Sequence, residues 1–234
     1  MENVGIYVHV PFCRQKCRSC DFPSWAGLGE AEAGRYFDAV CLEIKAFAAE
    51  HGRLPAGTVY FGGGTPSYVA AGYIGKVMDC IRECFKLPEA AIEAAIEATD
   101  AKCRAYRSMG LNRVSMGLQT TSDRGLKALG RIHTYADFVA SLDLLVGAGF
   151  ENISADLMFG LPGQTLEDVR QDIDRLTAFA PIKHISCYSL KIEEGTAFDT
   201  LYRQGKLPLP DEGLERQMQH AIIDGLAENG FEQY

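Results

Sequence analysis

Val4-Gly-Ile-Tyr7-Val-His9-Val10-Pro11-Phe12-Cys13-Arg14-Gln15-Lys16-Cys17-Arg18-Ser19-Cys20-Asp21-Phe22 runs a short apolar strand straight into three cysteines within eight residues. A disulfide inside C-x3-C or C-x2-C would close a very small loop and leave one thiol over, so the trio reads as a metal site. Thiolates select zinc, copper(I) or iron–sulfur clusters. Structural zinc takes four ligands, and an iron–sulfur cubane usually takes four cysteines. Three local cysteines therefore leave one position short. His9 could complete a Cys3His zinc set, although a histidine so placed is more often a hydrogen-bonded interior residue, the reading favoured here; alternatively the vacancy on a cubane could be meant for another ligand. Arg14, Lys16 and Arg18 lie among the cysteines; cations there favour thiolates and offset the charge of a thiolate–iron cage.

The whole chain has 234 residues, 47% of them apolar and 23% charged, with 24 glycines and a net charge of −8. That size and mixture fit a globular chain, read here as one domain. The negative balance argues against a nucleic-acid backbone as partner. No apolar run is long enough to insert in a membrane, and the start Met1-Glu2-Asn3 carries no charged-then-apolar signal. A cytoplasmic location, where thiols stay reduced, is expected. Cys41, Cys80, Cys84, Cys103 and Cys187 are scattered among apolar residues and read as small core side chains.

Short apolar segments alternate with amphipathic ones along the chain. Strands are expected at about 5–10, 58–61, 92–97, 112–116, 152–157 and 183–188, and helices at about 31–50, 70–86, 101–109, 136–148, 166–179 and 211–229. Repeated strand–helix units imply a parallel sheet flanked by helices. Six of them predict an incomplete (β/α)6 barrel of parallel strands with outer helices, short of the eight-unit form. One segment conflicts locally: Glu89-Ala-Ala-Ile-Glu-Ala-Ala-Ile-Glu-Ala98 has helical propensity, but the alternation requires a strand near 92–97.

In parallel α/β folds, ligands gather at the carboxyl ends of the strands. Strand one places Tyr7 and His9 on the face opposite Ile6, Val8 and Val10, by the two-residue period. Strand two ends in Tyr60-Phe-Gly62-Gly63-Gly64-Thr65-Pro66-Ser67, whose glycines let backbone approach a neighbour closely without the spacing of a phosphate loop. Strand three ends near Glu97. Strand four, Asn112-Arg113-Val-Ser115-Met-Gly-Leu-Gln119, puts Ser115 and Gln119 on one face. Strand five carries a single carboxylate, Asp156, and leads to Thr165, positioned to cap the next helix. Arg131, in Gly130-Arg-Ile-His-Thr134, is a candidate partner for a carboxylate ligand.

Taken in order, these motifs resemble the radical S-adenosylmethionine proteins related to oxygen-independent coproporphyrinogen III oxidase. The resemblance rests on Tyr7-Val-His9-Val-Pro-Phe-Cys13-x3-Cys17-x2-Cys20-Asp-Phe22, Phe61-Gly-Gly-Gly-Thr-Pro-Ser67, Asn112 to Gln119, Leu129 to Thr134, and Asp156-Leu-Met-Phe-Gly-Leu-Pro-Gly-Gln-Thr165, and it covers essentially the whole chain. It implies a 4Fe–4S cluster held by Cys13, Cys17 and Cys20, with S-adenosylmethionine on the open iron. One electron then cleaves the sulfonium to methionine and a 5′-deoxyadenosyl radical. By the same resemblance Tyr7 lies near the sulfonium, and Gly63, Gly64 and Thr65 hold the methionine amino group. Glu97, Gln119, Arg131 and Asp156 contact the ribose, adenine or carboxylate, and Ser189 lies on the adenine side.

The resemblance also implies a branch. The oxidases usually carry a further cysteine two positions after the third ligand, where this chain has Phe22 after Asp21. Cys20-Asp21-Phe22 and Tyr188-Ser-Leu-Lys-Ile-Glu-Glu-Gly195-Thr196 look more like the branch regarded as haem chaperones, which deliver haem to respiratory proteins. Haem or a porphyrinogen is then the expected partner, and a flavodoxin or ferredoxin the expected electron donor. Two departures are visible. The family's Glu-x-Asn-Pro is here Glu97-Ala-Thr-Asp100, and the sequence stops at Tyr234, before the family's carboxy-terminal domain with its His-Asn-x-x-Tyr-Trp haem motif. Residues 1–234 are accordingly expected to be a radical core with that domain absent. The alternatives are a coproporphyrinogen III oxidase and, in another class, a zinc module using His9 with the three cysteines.

Overall fold

A computed structural model describes residues 3–87, 92–95 and 100–234. By internal packing these form two compact units. The first comprises Met1–Gln15, Phe22–Ser115 and Ser141–Glu151, the second Lys16–Asp21, Met116–Ala140 and Asn152–Tyr234.

In the first unit, strand β1 (Val4–Val10) leads to the two-residue strand β2 (Phe12–Cys13), which pairs in parallel with β3 (Trp25–Ala26). Helix α1 (Glu30–His51) and strand β4 (Ala56–Gly63) follow. β1 and β4 are parallel, with Ile6 opposite Val59, Tyr7 opposite Tyr60, Val8 opposite Phe61 and His9 opposite Gly62. Alternation sorts the pair into two faces: Val8, Val10, Val59 and Phe61 are buried, while Tyr7 stays exposed. Phe37 of α1 is fully buried. Its ring stacks on Phe12 at 6.1 Å and on Tyr73 of α2 (Ala71–Cys84) at 5.0 Å. Burying such a ring contributes about 2–3 kcal/mol, and here it fixes the residue immediately before Cys13.

Strand β5 (Ile92–Ala95) is parallel to both neighbours, with Phe61 opposite Ala94 and Ala94 opposite Val114. Pairing on two sides overrides the helical propensity of this alanine-rich segment. Helix α3 (Asp100–Ser108) and strand β6 (Arg113–Gln119) come next. Glu97, with the end of the expected third strand, lies outside the described residues. The six longer strands are ordered as they come in sequence once β7 (Asn152–Phe159) and β8 (Ile182–Ser189) are added.

In the second unit, β7 and β8 are parallel, with Asp156 opposite Ser186 and Phe159 opposite Ser189. Phe159 packs with Val169 and Ile173 of α6 (Leu166–Thr177) and with Met218 and Ile222 of α8 (Glu212–Glu228). Thr165 caps α6 as expected: its hydroxyl accepts from Asp168 N, and the Asp168 carboxylate accepts from Thr165 N at 2.8 Å. Two short helices were not expected, α4 (Asp123–Leu129) and α7 (Ala197–Arg203); α5 (Tyr135–Gly147) and α6 lie between them in chain order. Ser122 and Thr196 cap them by accepting from Gly125 N and Asp199 N. Leu129 and Phe198, from these helices, pack with Met158 and Leu161 at the end of β7. All eight cysteines are free, and Cys41, Cys80, Cys84 and Cys103 are buried. Among the described residues no helix is long and apolar enough to cross a membrane.

Candidate functional site

In the first unit, the backbone around Cys13 is tied to the glycine segment. Gly64 N donates to Val10 O and Thr65 N to Phe12 O, both at 2.8 Å. The Thr65 hydroxyl lies 3.8 Å from Cys13 Sγ in donor geometry. The glycines are needed by the protein's own packing. A Cβ on Gly64 would lie 2.7 Å from Phe12 O and 2.9 Å from Cys13 Sγ, and one on Gly63, whose φ is +104°, would lie 2.5 Å from the His9 ring. Because the Gly64 and Thr65 amides are already spent on carbonyls, the segment is not an anion nest of the phosphate-binding kind.

His9 is held at both ring nitrogens. Nδ1 accepts from the Tyr7 hydroxyl at 3.0 Å, and Nε2 donates to Pro23 O at 2.8 Å. That arrangement orients Tyr7 and leaves His9 no lone pair for a metal, against the Cys3His reading. Among the described residues, no group of three or more His, Cys, Asp or Glu is gathered about a single-ion position.

The second unit holds Cys17 and Cys20 in the segment Lys16–Asp21. Arg18 anchors it: its N donates to Leu129 O at 3.0 Å, its O accepts from Phe198 N at 3.0 Å, and Nη1 reaches Ala128 O at 3.3 Å. Thus the two unexpected helices have a purpose, since α4 ends and α7 begins on the cysteine segment. Arg131, just after α4, donates from Nη1 to Cys17 Sγ at 3.4 Å and from Nη2 to Gly117 O at 3.1 Å. A Cβ on Gly117 would lie 2.5 Å from Arg131 Nη2, so this glycine of β6 makes room for the guanidinium.

At the end of β6, Gln119 is 5% exposed and has φ of +74°, the one positive φ outside glycine among the described residues. Such a conformation in a non-glycine residue persists where the surroundings over-determine it, commonly at functional sites. Its Oε1 accepts from the Tyr188 hydroxyl at 3.0 Å. Although Tyr188 is 43% exposed as a residue, desolvation around its hydroxyl, with Asp156 adding to it, pushes the phenol up, while Arg131 opposes the shift. The Cys187 thiol is likewise pushed up to about 12, by burial first and Asp156 second. Asp156 lies opposite Ser186, beside both groups in β8. Ser189 ends that strand and lines a cavity of about 280 Å³ with Phe159, Glu212, Glu215, Arg216 and Gln219.

The structure thus brings Arg131 to Cys17 and Gln119 to Tyr188, and ties the backbone of Gly64 and Thr65 to the segment before Cys13. Glu97 lies outside the described residues. Sequence reading missed Gly117, Tyr188 and His133. The first was hidden by its place within a strand motif, although glycine in a strand signals close approach. His133 Nε2 and Arg131 Nε are both buried without a hydrogen-bond partner.

Within the second unit these features suit a soft metal held by thiolates with a carboxylate-bearing ligand beside it. Cys17 and Cys20 are soft, unbridged donors, and the half-buried Arg131 retains a buried, unused Nε–H for a carboxylate or ring nitrogen.

Comparison with known proteins agrees. Over 233 residues the chain is 36% identical to the heme chaperone HemW of Lactococcus lactis, covering 97% of this chain and 60% of the relative. It is 35% identical to HemW of Bacillus subtilis, covering 97% and 61%. The chain therefore spans about three-fifths of the length of these curated relatives. Among solved structures, the coproporphyrinogen III oxidase HemN of Escherichia coli, a radical SAM enzyme, superposes with a TM-score of 0.86 at 26% identity, over 98% of this chain and 54% of that one. Residues 7–176 match the family described as the Radical SAM superfamily. From β1 through nearly the whole of α6, and so over more than half its length, the chain belongs to the radical SAM superfamily.

Proposed function

We propose that this chain is the radical core of a haem chaperone, binding a 4Fe–4S cluster and S-adenosylmethionine and acting in haem delivery or porphyrin metabolism. The observation that carries the reading is the segment Cys20-Asp21-Phe22. The oxidases usually place another cysteine where this chain has Phe22, and Phe22 is 58% exposed. Identity of 35–36% to two proteins named heme chaperone, over 97% of this chain, supports it.

Cys13, Cys17 and Cys20 hold the cluster. Tyr7, oriented by His9, faces the sulfonium. Gly63, Gly64 and Thr65 receive the methionine ammonium at backbone carbonyls and the threonine hydroxyl. Gln119, Arg131, Asp156 and Ser189, with Glu97, take the carboxylate, ribose and adenine. When bound, the cluster and S-adenosylmethionine supply one-electron cleavage of a sulfonium, and the protein orients and shields that chemistry. Haem, a flavodoxin or ferredoxin as donor, respiratory proteins as acceptors, and a cytoplasmic setting complete the proposal. Residues 1–234 act as the radical core.

A second reading is oxidative decarboxylation of coproporphyrinogen III, favoured by the fold match to HemN. The two are separated by anaerobic assay of the reconstituted full-length protein, since the family's haem motif lies in its carboxy-terminal domain. Haem uptake there, followed by absorbance, without turnover of coproporphyrinogen supports the chaperone. Formation of protoporphyrinogen overturns it.

A further inference from the structure

Asp172 belongs to none of the motifs above. It lies in α6, is 1% exposed, and both its oxygens face the two residues that follow Gln119. The Thr120 hydroxyl donates to Oδ2 at 2.9 Å, and Thr121 donates to Oδ1 from its N and from its hydroxyl, each at 2.6 Å. Thr120 and Thr121 are buried as well. Arg175, one turn on in α6, adds a bond from Nη1 to Thr121 O at 3.3 Å. A buried carboxylate is costly unless fully hydrogen-bonded, and the four hydrogen bonds this one accepts from Thr120 and Thr121 all come from the same dipeptide. That dipeptide leaves β6 directly from Gln119, at the +74° φ. Chain direction at Thr120 and Thr121 therefore dictates how Gln119 enters the turn, and with it where Oε1 meets Tyr188.

We propose that Asp172 is a positioning residue, clamping Thr120–Thr121 so that Gln119 keeps its left-handed backbone and presents its amide, with Tyr188, to the nucleoside end of S-adenosylmethionine. This rests on the S-adenosylmethionine reading of the site. A purely local capping role would require no side chain beyond the turn to respond.

The test is a double-mutant cycle on the anaerobically reconstituted chain. Equilibrium binding of S-adenosylmethionine is read beside iron content and the thermal unfolding midpoint. Asp172→Ala is expected to weaken binding about tenfold, the scale of losing a charge-assisted hydrogen bond, with the cluster retained. Asp172→Asn, which can still accept from Thr121 N, restores most of it. In a Gln119→Ala background, Asp172→Ala should add less than about twofold. Additive losses, or wild-type affinity in Asp172→Ala with an intact cluster, overturn the inference and leave the binding reading standing. If the unsubstituted chain with a full cluster does not bind S-adenosylmethionine, the reading itself fails, and the inference with it. Should Asp172→Ala not fold, Thr121→Val removes one bond of the clamp and must weaken binding in the same non-additive way.

Discussion

The Arg131 guanidinium donates to Cys17 Sγ at 3.4 Å while its other terminal nitrogen holds Gly117 O at 3.1 Å. A positive donor on a thiolate sulfur stabilises the electron-richer state of any cluster that sulfur holds, because hydrogen bonds and charge near the sulfurs set cluster potentials. Arg131→Met should therefore make the reduction potential of the reconstituted cluster more negative by roughly 65–130 mV, taking a hydrogen bond from a charged group as about 1.5–3 kcal/mol at ~59 mV per tenfold for one electron. Arg131→Lys should fall between the two. Spectroelectrochemical titration reads the shift; an unchanged or more positive potential in Arg131→Met contradicts it.

Gly64 makes a different prediction, since its restriction comes from protein atoms. An alanine Cβ would press on Phe12 O and Cys13 Sγ, and a backbone oxygen cannot swing aside as a flexible side chain can. Overpacking of this kind costs about 1–3 kcal/mol, or roughly 2–12 °C in Tm for a chain of this size. The loss should be present in the metal-free protein and should lower iron loading after reconstitution. A Gly64→Ala variant that is normal without metal and impaired only with it would assign the glycine to the ligand instead.

His133 gives a pH dependence. Burial first, and then the neighbouring Arg131, hold its imidazolium below the usual range, against a bond to the Leu118 backbone that favours it. The folded chain thus resists a proton that the unfolded chain accepts below about pH 6.5. This contribution to stability is intact above that pH and declines as pH falls through it toward the folded value. His133→Asn should flatten the loss of stability between about pH 6.5 and 5.5, read as urea midpoints at the two pH values. An identical loss in the variant would place the titration elsewhere.

The strand–helix alternation was legible because burial imposes its own periodicity. Val8 and Val10 on one face, and the Thr165 cap, could be read directly from residue type and spacing. The alanine-rich strand β5 was legible only through the alternation, since its own propensity pointed to helix. Helices α4 and α7 escaped because each has only seven residues, too short for a helical period to register. Ser122 and Thr196 were available as capping signals. Asp172 and Tyr188 could not be read as site residues at all. Their partners, Thr120–Thr121 and Gln119, lie about fifty and seventy residues away, and only the fold brings these pairs together. Gly117 and Gly64 were legible as glycines, whereas what fills the space beside them was not.

Gln119 allows backbone and side chain to be separated. A left-handed residue other than glycine is strained by about 1–2 kcal/mol, so glycine at 119 relieves strain. It loses about as much again through the freer unfolded chain and the missing bond from Tyr188. Gln119→Gly should therefore unfold within about 1 kcal/mol of the unsubstituted chain. A β-branched residue cannot adopt this φ without further crowding, and Gln119→Val should cost at least ~2 kcal/mol more than glycine does. Both lack the amide that meets Tyr188, so both should bind S-adenosylmethionine about tenfold or more weakly, whatever their stability. Urea unfolding and equilibrium binding on the same preparations read the two effects separately. If affinity tracked stability across the pair, the side chain would have no role beyond the turn it occupies.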